Sequence, residues 1–220
     1  MKPRLLLHRI AYAMIQRNMG GLVTLGQLEP WTILPTLSPE SFVVSGGAGN
    51  DISFELDLIR RFGCSVALFD PSLPGRTTVA RHQPTSDRLH FFERGIAAKK
   101  GVNYLQPPSR DPSLHSWVKA DEDSGEAMQF VTLADIANQF SKQRIDLLKI
   151  DIEGYEYEVL EDLLRSPLKV TQICVELHQE PQVPGRTRKD RWRIINALRR
   201  AGYVLLHHRH WDHTFYLRNA

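Results

Sequence analysis

Two pairs of ionisable side chains stand where apolar runs of the sequence end. Asp151 and Glu153 directly follow one apolar run, and Glu176 and His178 stand at the end of another. Residues two apart on a strand point to the same face, so the members of each pair can face one cleft. In an open α/β sheet, ligands bind beyond the carboxyl ends of the strands. If the two strands are neighbours, all four side chains converge there.

Such a cluster allows two kinds of chemistry and one purely structural role. His178 or Asp151 can act as a general base. Alternatively, Asp151, Glu176 and His178 can hold a divalent metal ion that lowers the pKa of a bound hydroxyl. In the structural alternative, Glu153 caps the next helix and His178 bonds to the backbone. Burying four ionisable groups is costly without a cation, a shared proton or a substrate, which favours a functional role for Asp151.

A glycine-rich segment, SGGAGND (45–51), joins an apolar run to a helical pattern. Glycines let the backbone approach a ligand closely, and a helix N-terminus presents unpaired N–H groups. Asp70 ends the second predicted strand, about twenty residues later, where nucleotide-binding folds place a carboxylate for the ribose hydroxyls. A tight strand-to-helix turn without a ligand is the alternative. Ile52 replaces the third glycine of the dinucleotide pattern, which favours S-adenosylmethionine, a cofactor without phosphate, over a nicotinamide cofactor.

Strands and helices alternate along the chain from Ser41. The alternation predicts a doubly wound α/β fold, with a mostly parallel sheet covered on both faces. Residues 99–130 contain three prolines and an acidic stretch, and we predict an irregular insert there. We expect an entry segment at 1–40, with an N-terminal helix that packs on the domain, and a main domain at 41–220. The pattern predicts strands over 42–44, 65–69, 89–92, 146–150 and 171–177, helices over 52–62, 133–140, 156–164 and 191–201, and a terminal hairpin over 203–206 and 215–217.

Three segments together resemble the FkbM-type methyltransferases, namely LLKIDIEGYE (147–156), GNDISFE (49–55) and QICVELH (172–178). The first is highly specific, the other two support it, and all three occur in the family's order. The chain is most similar to the methyltransferase-like branch, and the resemblance covers residues 31–217. It implies a class I methyltransferase fold, which is a Rossmann-like, seven-stranded sheet with an antiparallel last strand and S-adenosylmethionine across the first two strands.

The resemblance also implies a set of cofactor-binding residues. The glycines and Asp51 would lie at the methionine part, Asp70 on the ribose and the turn at Gly95-Ile96 near the adenine. No obvious acidic partner for the adenine follows the third predicted strand. The full set is Gly46, Gly47, Gly49, Asp51, Asp70, Gly95 and Ile96.

The implied reaction transfers a methyl group from a positively charged sulfur to an aligned nucleophile. A hydroxyl acceptor must lose its proton, which the ionisable cluster can take up. We therefore expect O-methylation of a hydroxyl on a saccharide or similar small metabolite, with Asp151, Glu153, Glu176 and His178 as catalytic residues. Two other classes stay open: a nicotinamide-dependent oxidoreductase on a Rossmann-like fold, and a non-catalytic cofactor-binding module. No motif identifies the acceptor or the oligomeric state.

The composition is that of an ordinary globular domain, with 220 residues, 42% hydrophobic and 24% charged. A formal net charge of +3 is too small for the basic stripe of a nucleic-acid-binding protein, so we expect no nucleic-acid partner. The two cysteines exclude a disulfide framework and suit a reducing compartment, so we expect a cytoplasmic protein. No apolar run is long enough for a transmembrane segment, and residues 1–19 are expected to form an amphipathic helix.

Three further features carry weaker signals. One is a set of four histidines near the C-terminus, namely His207, His208, His210 and His213. They resemble a metal-binding tract, but alternate residues of a hairpin face opposite sides, so we interpret them as surface residues. A basic run from Arg186 to Arg193 is interpreted as a solvated face, with a clamp for an anionic acceptor as the alternative. Trp117 and His115 belong either to a lid over the site or to a local anchor.

Overall fold

The computed structural model describes residues 12–17, 19–82, 86–106, 118–120, 122–181 and 183–218. Its strands are β1 (Val23–Leu25), β2 (Trp31–Ile33), β3 (Phe42–Gly46), β4 (Ser65–Phe69), β5 (Leu89–Phe92), β6 (Gly95–Ile96), β7 (Gly101–Gln106), β8 (Val118–Ala120), β9 (Glu126–Val131), β10 (Arg144–Ile150), β11 (Lys169–Glu176), β12 (Tyr203–Arg209) and β13 (Asp212–Leu217). Its helices are α1 (Ser53–Phe62), α2 (Leu73–Arg81), α3 (Leu133–Gln139), α4 (Glu156–Arg165) and α5 (Arg188–Arg200).

Seven strands form the central sheet, in the order β12–β13–β11–β10–β3–β4–β5. The five strands from β11 to β5 are parallel to one another, and β13 inserts antiparallel between β11 and β12. The predicted sheet, mostly parallel with an antiparallel last strand, is confirmed. Because β10 lies in the middle, the carboxyl ends of the parallel strands meet around its end.

Helices cover both faces of this sheet, as the alternating pattern predicts. On one face, α3, α4 and α5 bury Ile136, Leu160 and Ile194 in a single core with residues of β10 and β11. On the other face, Phe54 of α1 and Trp31 of β2 belong to a second core. Since β10 and β11 are covered on both sides, most of their residues are buried.

Local signals set the ends of two helices. Gly63 ends α1 in the left-handed conformation, with a φ of 66°, and its N–H donates to the Ile59 carbonyl oxygen at 2.8 Å. Helix α5 begins at Arg188, three residues before the predicted start at 191, because Thr187 and Asp190 form a capping box.

Helix α2 is absent from the sequence prediction. Its N-cap is Ser72, whose hydroxyl oxygen accepts a hydrogen bond from the Gly75 N–H at 3.2 Å. Pro74 lies in the first turn, where its missing N–H has no helical partner to lose. A proline next to a glycine usually indicates a loop, and here the N-cap overrides that signal.

The prediction that residues 99–130 are irregular is wrong for the described part of that segment. Strands β7 and β9 pair antiparallel, β8 adds to β7 and β6 adds to β9, so that a second, four-stranded sheet forms. Few side chains of β7 and β9 are buried, Leu105 and Phe130 among them, so the sequence lacks the alternation that indicates a strand. Trp117 and His115 lie outside the described residues.

The entry segment contains structure that the sequence pattern does not predict. Strands β1 and β2 form an antiparallel hairpin that packs on α1. Tyr12 is buried, and its ring stacks on that of His208 with 3.7 Å between the centroids. Most of the helix predicted at 1–19 lies outside the described residues. Within the described part of that segment, residues 12–15 are helical. The division of the chain at residue 40 stays a prediction. None of the described helices has the length and apolar character needed to cross a lipid bilayer.

Candidate active site

Loops at the carboxyl edge of the central sheet bring the predicted site residues together. Asp151 follows β10, and its N–H donates to the carbonyl oxygen of Gly46 in β3 at 3.0 Å. His178 follows β11, the neighbour of β10 on the other side. Asp151 therefore lies between the glycine loop (45–51) and His178.

A cavity of about 190 Å³ opens between the glycine loop and Asp151. Its walls include the apolar side chains of Leu105 and Phe130, which come from the four-stranded sheet. The predicted residues that line it are Gly47, Gly49, Asp70, Gly95, Ile96, Asp151 and Glu153. The predicted residues outside its lining are Gly46, Asp51, Glu176 and His178.

Gly47 is required by a contact within the protein itself. Its φ is 89°, where a side chain is disfavoured, and a Cβ there would lie 1.9 Å from the Asp151 carbonyl oxygen. Gly49 has a φ of 45°, but a Cβ at that position would have no heavy atom within 4 Å. The two glycines thus have different roles: Gly47 allows the tight turn against Asp151, and Gly49 leaves space open beside the cavity.

Asp70 shapes the glycine loop as well as lining the cavity. Its buried carboxylate accepts hydrogen bonds from the N–H groups of Ala48 at 2.8 Å, Gly49 at 3.0 Å and Ser72 at 2.7 Å. A carboxylate has about four acceptor positions, so roughly one is left for a ligand. The position at the end of β4 is that predicted for a ribose contact.

Asp51 acts on the cavity through another residue. Its carboxylate accepts hydrogen bonds from the N–H groups of Leu28 and Glu29, both at 3.1 Å, and from the hydroxyl of Ser53. Asp51 thereby fixes the segment before β2, and Glu29 in that segment lines the cavity. Burial and the charge of Asp151 raise the pKa of Glu29 above its ordinary value. Sequence reasoning missed Glu29, because no motif marks it.

Lys149, in β10, is a buried cation among these carboxylates. Its Nζ donates a hydrogen bond to the Gly47 carbonyl oxygen. Burial opposes its charge, but Asp151, Glu55 and Glu29 outweigh that effect and raise the pKa of Lys149. One lysine thus ties β10 to the glycine loop and balances the negative charge of the site.

His178 is buried at the centre of a group of carboxylates. Its Nδ1 lies 2.8 Å from Glu156 Oε1, and its Nε2 lies 3.3 Å from Glu153 Oε2. The same Nε2 lies 3.7 Å from Asp151 Oδ1 and 3.9 Å from Glu176 Oε1. The three carboxylates of the two sequence pairs therefore meet around Nε2 of the fourth member, His178.

The carboxylates decide the protonation of His178. Burial opposes the imidazolium, but Glu156, Asp151 and Glu153 outweigh it and raise the pKa of His178 well above 6.5. An imidazolium has no free nitrogen to take up a proton. The raised pKa favours the imidazolium form of His178, which is a hydrogen-bond donor.

Glu156, not Glu153, bonds to the backbone at the start of α4. Its carboxylate accepts hydrogen bonds from the N–H groups of Ile152 and Gly154, both at 3.0 Å. Glu153 has a positive φ of 55°, and it lines the cavity. The structural alternative gives this role to Glu153, but the carboxylate that bonds to the turn is that of Glu156, and Glu153 Oε2 instead lies 3.3 Å from His178 Nε2. Sequence reasoning missed Glu156 as a site residue, although it is the last residue of the LLKIDIEGYE segment (147–156) that carries the family resemblance.

Three of the clustered side chains have the geometry of a metal-ligand set. Asp151, Glu153 and His178 each offer one ligand atom, and these atoms lie within 4.8 Å of one another. Glu153 takes the place that the sequence analysis gives to Glu176. Carboxylate oxygens with one imidazole suit several divalent ions and identify none of them.

The carboxyl groups of Glu176, in the cluster, and of Asp212, next to it, have raised pKa values. Glu176 and Asp212 pair in register across β11 and β13. Burial, together with the charge of Asp151, raises the pKa of Glu176 to about 8 and that of Asp212 to about 6. The native protein therefore binds protons here that the unfolded chain releases at lower pH.

We expect the free energy of unfolding to fall as the pH rises. The stabilisation from Glu176 is complete below its unfolded pKa and is lost as the pH passes about 8. With about 1.4 kcal/mol per pKa unit, urea denaturation should show a loss of roughly 2–4 kcal/mol between about pH 5 and pH 9. Glu176→Gln, which cannot ionise, should lose less than half of that amount. The same pH dependence in both proteins would contradict this origin.

The interpretation of the C-terminal histidines as surface residues is wrong for His213. This residue is fully buried, and its Nε2 lies 2.8 Å from the Tyr12 hydroxyl oxygen. His207 and His208 are half-buried, and His210 is exposed. Sequence periodicity missed the burial because Tyr12, from the entry segment, covers this part of β13.

The basic run holds two helices together. Arg186 pairs with Glu158, and Arg193 lies 2.9 Å from Glu161 on α4. Arg191 is buried, not solvated as the sequence analysis expects. With these partners on α4, the run fastens α5 and the segment before it, and it does not form an anion clamp at the cavity.

The sheet order and the site define a class. A glycine loop after the first parallel strand, a carboxylate after the second and a clustered acidic edge after the fourth are the arrangement implied for class I methyltransferases. The methyltransferase FkbM domain family matches residues 41–205. The chain belongs to the FkbM methyltransferase family.

The matches to curated relatives cover only part of each relative's length. The chain is 29% identical over 135 residues to the human protein named probable methyltransferase-like protein 24, and 30% identical over 135 residues to that of Rattus norvegicus. Each match covers 60% of this chain and 31% of the relative, so the chain spans about a third of the length of the curated relatives it matches. A solved rRNA methylase from Streptococcus thermophilus has a TM-score of 0.47 at 11% identity, over 83% of this chain and 90% of that one.

Proposed function

We propose that this chain is an S-adenosylmethionine-dependent methyltransferase that acts on a hydroxyl group of a saccharide or similar small metabolite. The observation that carries the proposal is that one cavity is lined by both halves of the site. Gly47 and Asp70 of the predicted cofactor set and Asp151 and Glu153 of the predicted catalytic set all line it. Membership of a methyltransferase family favours the sulfonium cofactor over a nicotinamide cofactor.

The lining of the cavity suits this cofactor. Ile96, Leu105 and Phe130 offer apolar surface to an adenine ring. Asp70 has about one acceptor position left for a ribose hydroxyl. The acidic groups near Asp151 complement a positively charged ligand. When bound, S-adenosylmethionine supplies the electrophilic methyl group, and the remaining tasks fall to the residues of the chain.

Asp151 is the residue to which we assign the uptake of the acceptor's proton. Asp151 lines the cavity, whereas His178 is not one of the lining residues. The neighbouring carboxylates raise the pKa of His178 and keep it charged, so its Nε2, 3.7 Å from Asp151 Oδ1, orients and balances that carboxylate. This arrangement supports Asp151 over His178 as the proposed base.

The charge around the site favours an uncharged acceptor. Asp151, Glu153 and Glu29 line the cavity, so an anionic acceptor would meet like charges. Arg186 and Arg193, which would have to attract an anion, are paired with carboxylates of α4. A polyhydroxyl compound instead offers donors to these carboxylates.

A metal-assisted route is the alternative for activating the hydroxyl. Asp151, Glu153 and His178 would hold the ion, which acts as a Lewis acid when bound. Full methyl transfer in the presence of EDTA would eliminate this route. Activity lost to EDTA and restored by Mg²⁺ or Mn²⁺ would replace the general-base route with it.

Calorimetry with S-adenosylhomocysteine tests the cofactor assignment. We expect the wild-type protein to bind, and Asp70→Ala to bind at least about tenfold more weakly, because the change removes the ribose contact and the acceptor for three loop N–H groups. Asp162→Ala removes a half-exposed carboxylate of α4 and should bind as the wild type does. No binding to the wild type, or unchanged affinity of Asp70→Ala, would overturn the assignment.

Turnover separates an enzyme from a non-catalytic binding module. A library of sugars and other hydroxyl compounds, scored by formation of S-adenosylhomocysteine, should contain at least one acceptor. Tight binding of the cofactor product without turnover on any member would favour the binding module.

A further inference from the structure

Glu156 is a buried carboxylate with three partners at the site. It is the first residue of α4, and its side chain has no exposed surface. Its Oε1 accepts hydrogen bonds from the Ile152 N–H at 3.0 Å and the Gly154 N–H at 3.2 Å, and its Oε2 accepts a second one from Gly154 at 3.0 Å. Its Oε1 also lies 2.8 Å from His178 Nδ1.

The two backbone contacts fix the loop that carries the catalytic carboxylates. Ile152 directly follows Asp151, and Ile152 and Gly154 flank Glu153 in the sequence. Holding both N–H groups on one carboxylate determines the backbone of this turn, in which Glu153 has a φ of 55°. Asp151, Ile152 and Glu153 all line the cavity. The position of Glu156 therefore sets the shape of one cavity wall.

The third contact fixes the orientation of His178. An ionised carboxylate accepts hydrogen bonds and does not donate them, so Nδ1 of His178 carries a hydrogen. The other nitrogen, Nε2, is then the one that faces Asp151 and Glu153. Tyr157, the next residue of α4, donates its hydroxyl to the His178 carbonyl oxygen at 2.9 Å, so α4 holds both the ring and the backbone of His178.

We propose that Glu156 is the positioning residue of this site: one buried carboxylate holds the loop of Asp151 and Glu153 and the ring of His178 in a common geometry. The assignment of chemistry to Asp151 rests on the proposed function, but the contacts of Glu156 do not. Oriented groups of this kind act through the residues they hold, and small displacements of those residues affect binding and rate.

Affinity for S-adenosylhomocysteine tests the hold on the loop. Glu156→Ala removes all three contacts and should weaken binding at least about tenfold, because the wall formed by 151–153 loses its anchor. Glu156→Gln keeps an oxygen that can accept from Ile152 and Gly154, and should stay within about threefold of the wild type. Glu161→Gln, on the same helix and paired with Arg193, is the matched control and should bind as the wild type does.

The imidazole N–H resonance of His178 tests the hold on the ring in the ligand-free protein. In ¹⁵N-labelled wild type, we expect a low-field Nδ1 proton, which His178→Asn assigns by its loss. A neutral acceptor makes a weaker hydrogen bond than a carboxylate, so Glu156→Gln should move this resonance upfield, while Glu161→Gln leaves it unchanged. A role of Glu156 in stability alone would not move it.

Two results would overturn the proposal: an unchanged resonance in Glu156→Gln, or a folded Glu156→Ala protein that binds S-adenosylhomocysteine as the wild type does. If Glu156→Ala does not fold, the resonance of Glu156→Gln decides. Failure of the wild type to bind S-adenosylhomocysteine would remove the proposed function, and the resonance would still test the contact between Glu156 and His178.

Discussion

Asp151→Asn is expected to slow methyl transfer by about 10²–10⁴-fold while affinity for S-adenosylhomocysteine stays within about threefold. The amide has the size of the carboxylate but cannot take up the acceptor's proton. The backbone of residue 151 keeps its bond to Gly46 and its contact with Gly47, so the cofactor side of the cavity retains its shape. The loss should therefore fall on the rate and not on binding.

Single-turnover rates with an acceptor from the hydroxyl screen measure this effect. Asp162→Asn, the same chemical change at a half-exposed position of α4, is the control and should react at the wild-type rate. His178→Asn keeps an N–H donor for Glu156 and removes Nε2, so it should slow the reaction less than Asp151→Asn does. A normal rate in Asp151→Asn would show that another group takes the proton.

Gly47→Ala is expected to lower the free energy of unfolding by about 3 kcal/mol or more. The new Cβ would lie 1.9 Å from the Asp151 carbonyl oxygen, in a backbone with a φ of 89°. Hydrogen bonds hold both backbone segments in place. The Gly47 N–H donates to the Phe69 carbonyl oxygen at 2.9 Å, and the Asp151 N–H donates to the Gly46 carbonyl oxygen at 3.0 Å. Relief of the collision requires one of these bonds to break.

Urea denaturation measures the loss, and Gly49→Ala is its matched control. Gly49 also has a positive φ, of 45°, but its Cβ position is open, so only a backbone cost of about 1–2 kcal/mol is expected. The difference between the two variants isolates the collision with Asp151. Equal losses in both would mean that the loop relaxes freely away from Asp151.

The central sheet could be predicted from the sequence because the signals for its strands and helices are local and strong. Strands β10 and β11 are mostly buried and rich in apolar residues, and Gly63 ends α1 where predicted. The four-stranded sheet could not be predicted in this way, because backbone pairing between β7 and β9 holds it while few of the side chains of these two strands are buried. Helix α2 depends on a single N-cap, Ser72, next to residues that favour loops.

The site was predictable only where chemistry and strand ends coincide. Asp151, Glu153, Glu176 and His178 follow from that rule, and they do meet. Glu156 lies within a helix and Lys149 within a strand, so this rule misses both, although both belong to the LLKIDIEGYE segment (147–156). Their roles arise from neighbours distant in the chain, such as His178 for one and the Gly47 carbonyl for the other.

The chain enters the four-stranded sheet at β6 and leaves it at β9, and these two strands lie side by side, with Gly95 paired to Phe130. Segments whose ends are adjacent tolerate changes in length and sequence with little effect on the rest of a domain. Because Leu105 and Phe130 of this sheet line the cavity beside Ile96, where the proposed function puts the adenine, a change in this segment would alter how the cavity holds the cofactor. Exchange of this segment between family members should therefore change the affinity for S-adenosylhomocysteine while the central sheet keeps its fold.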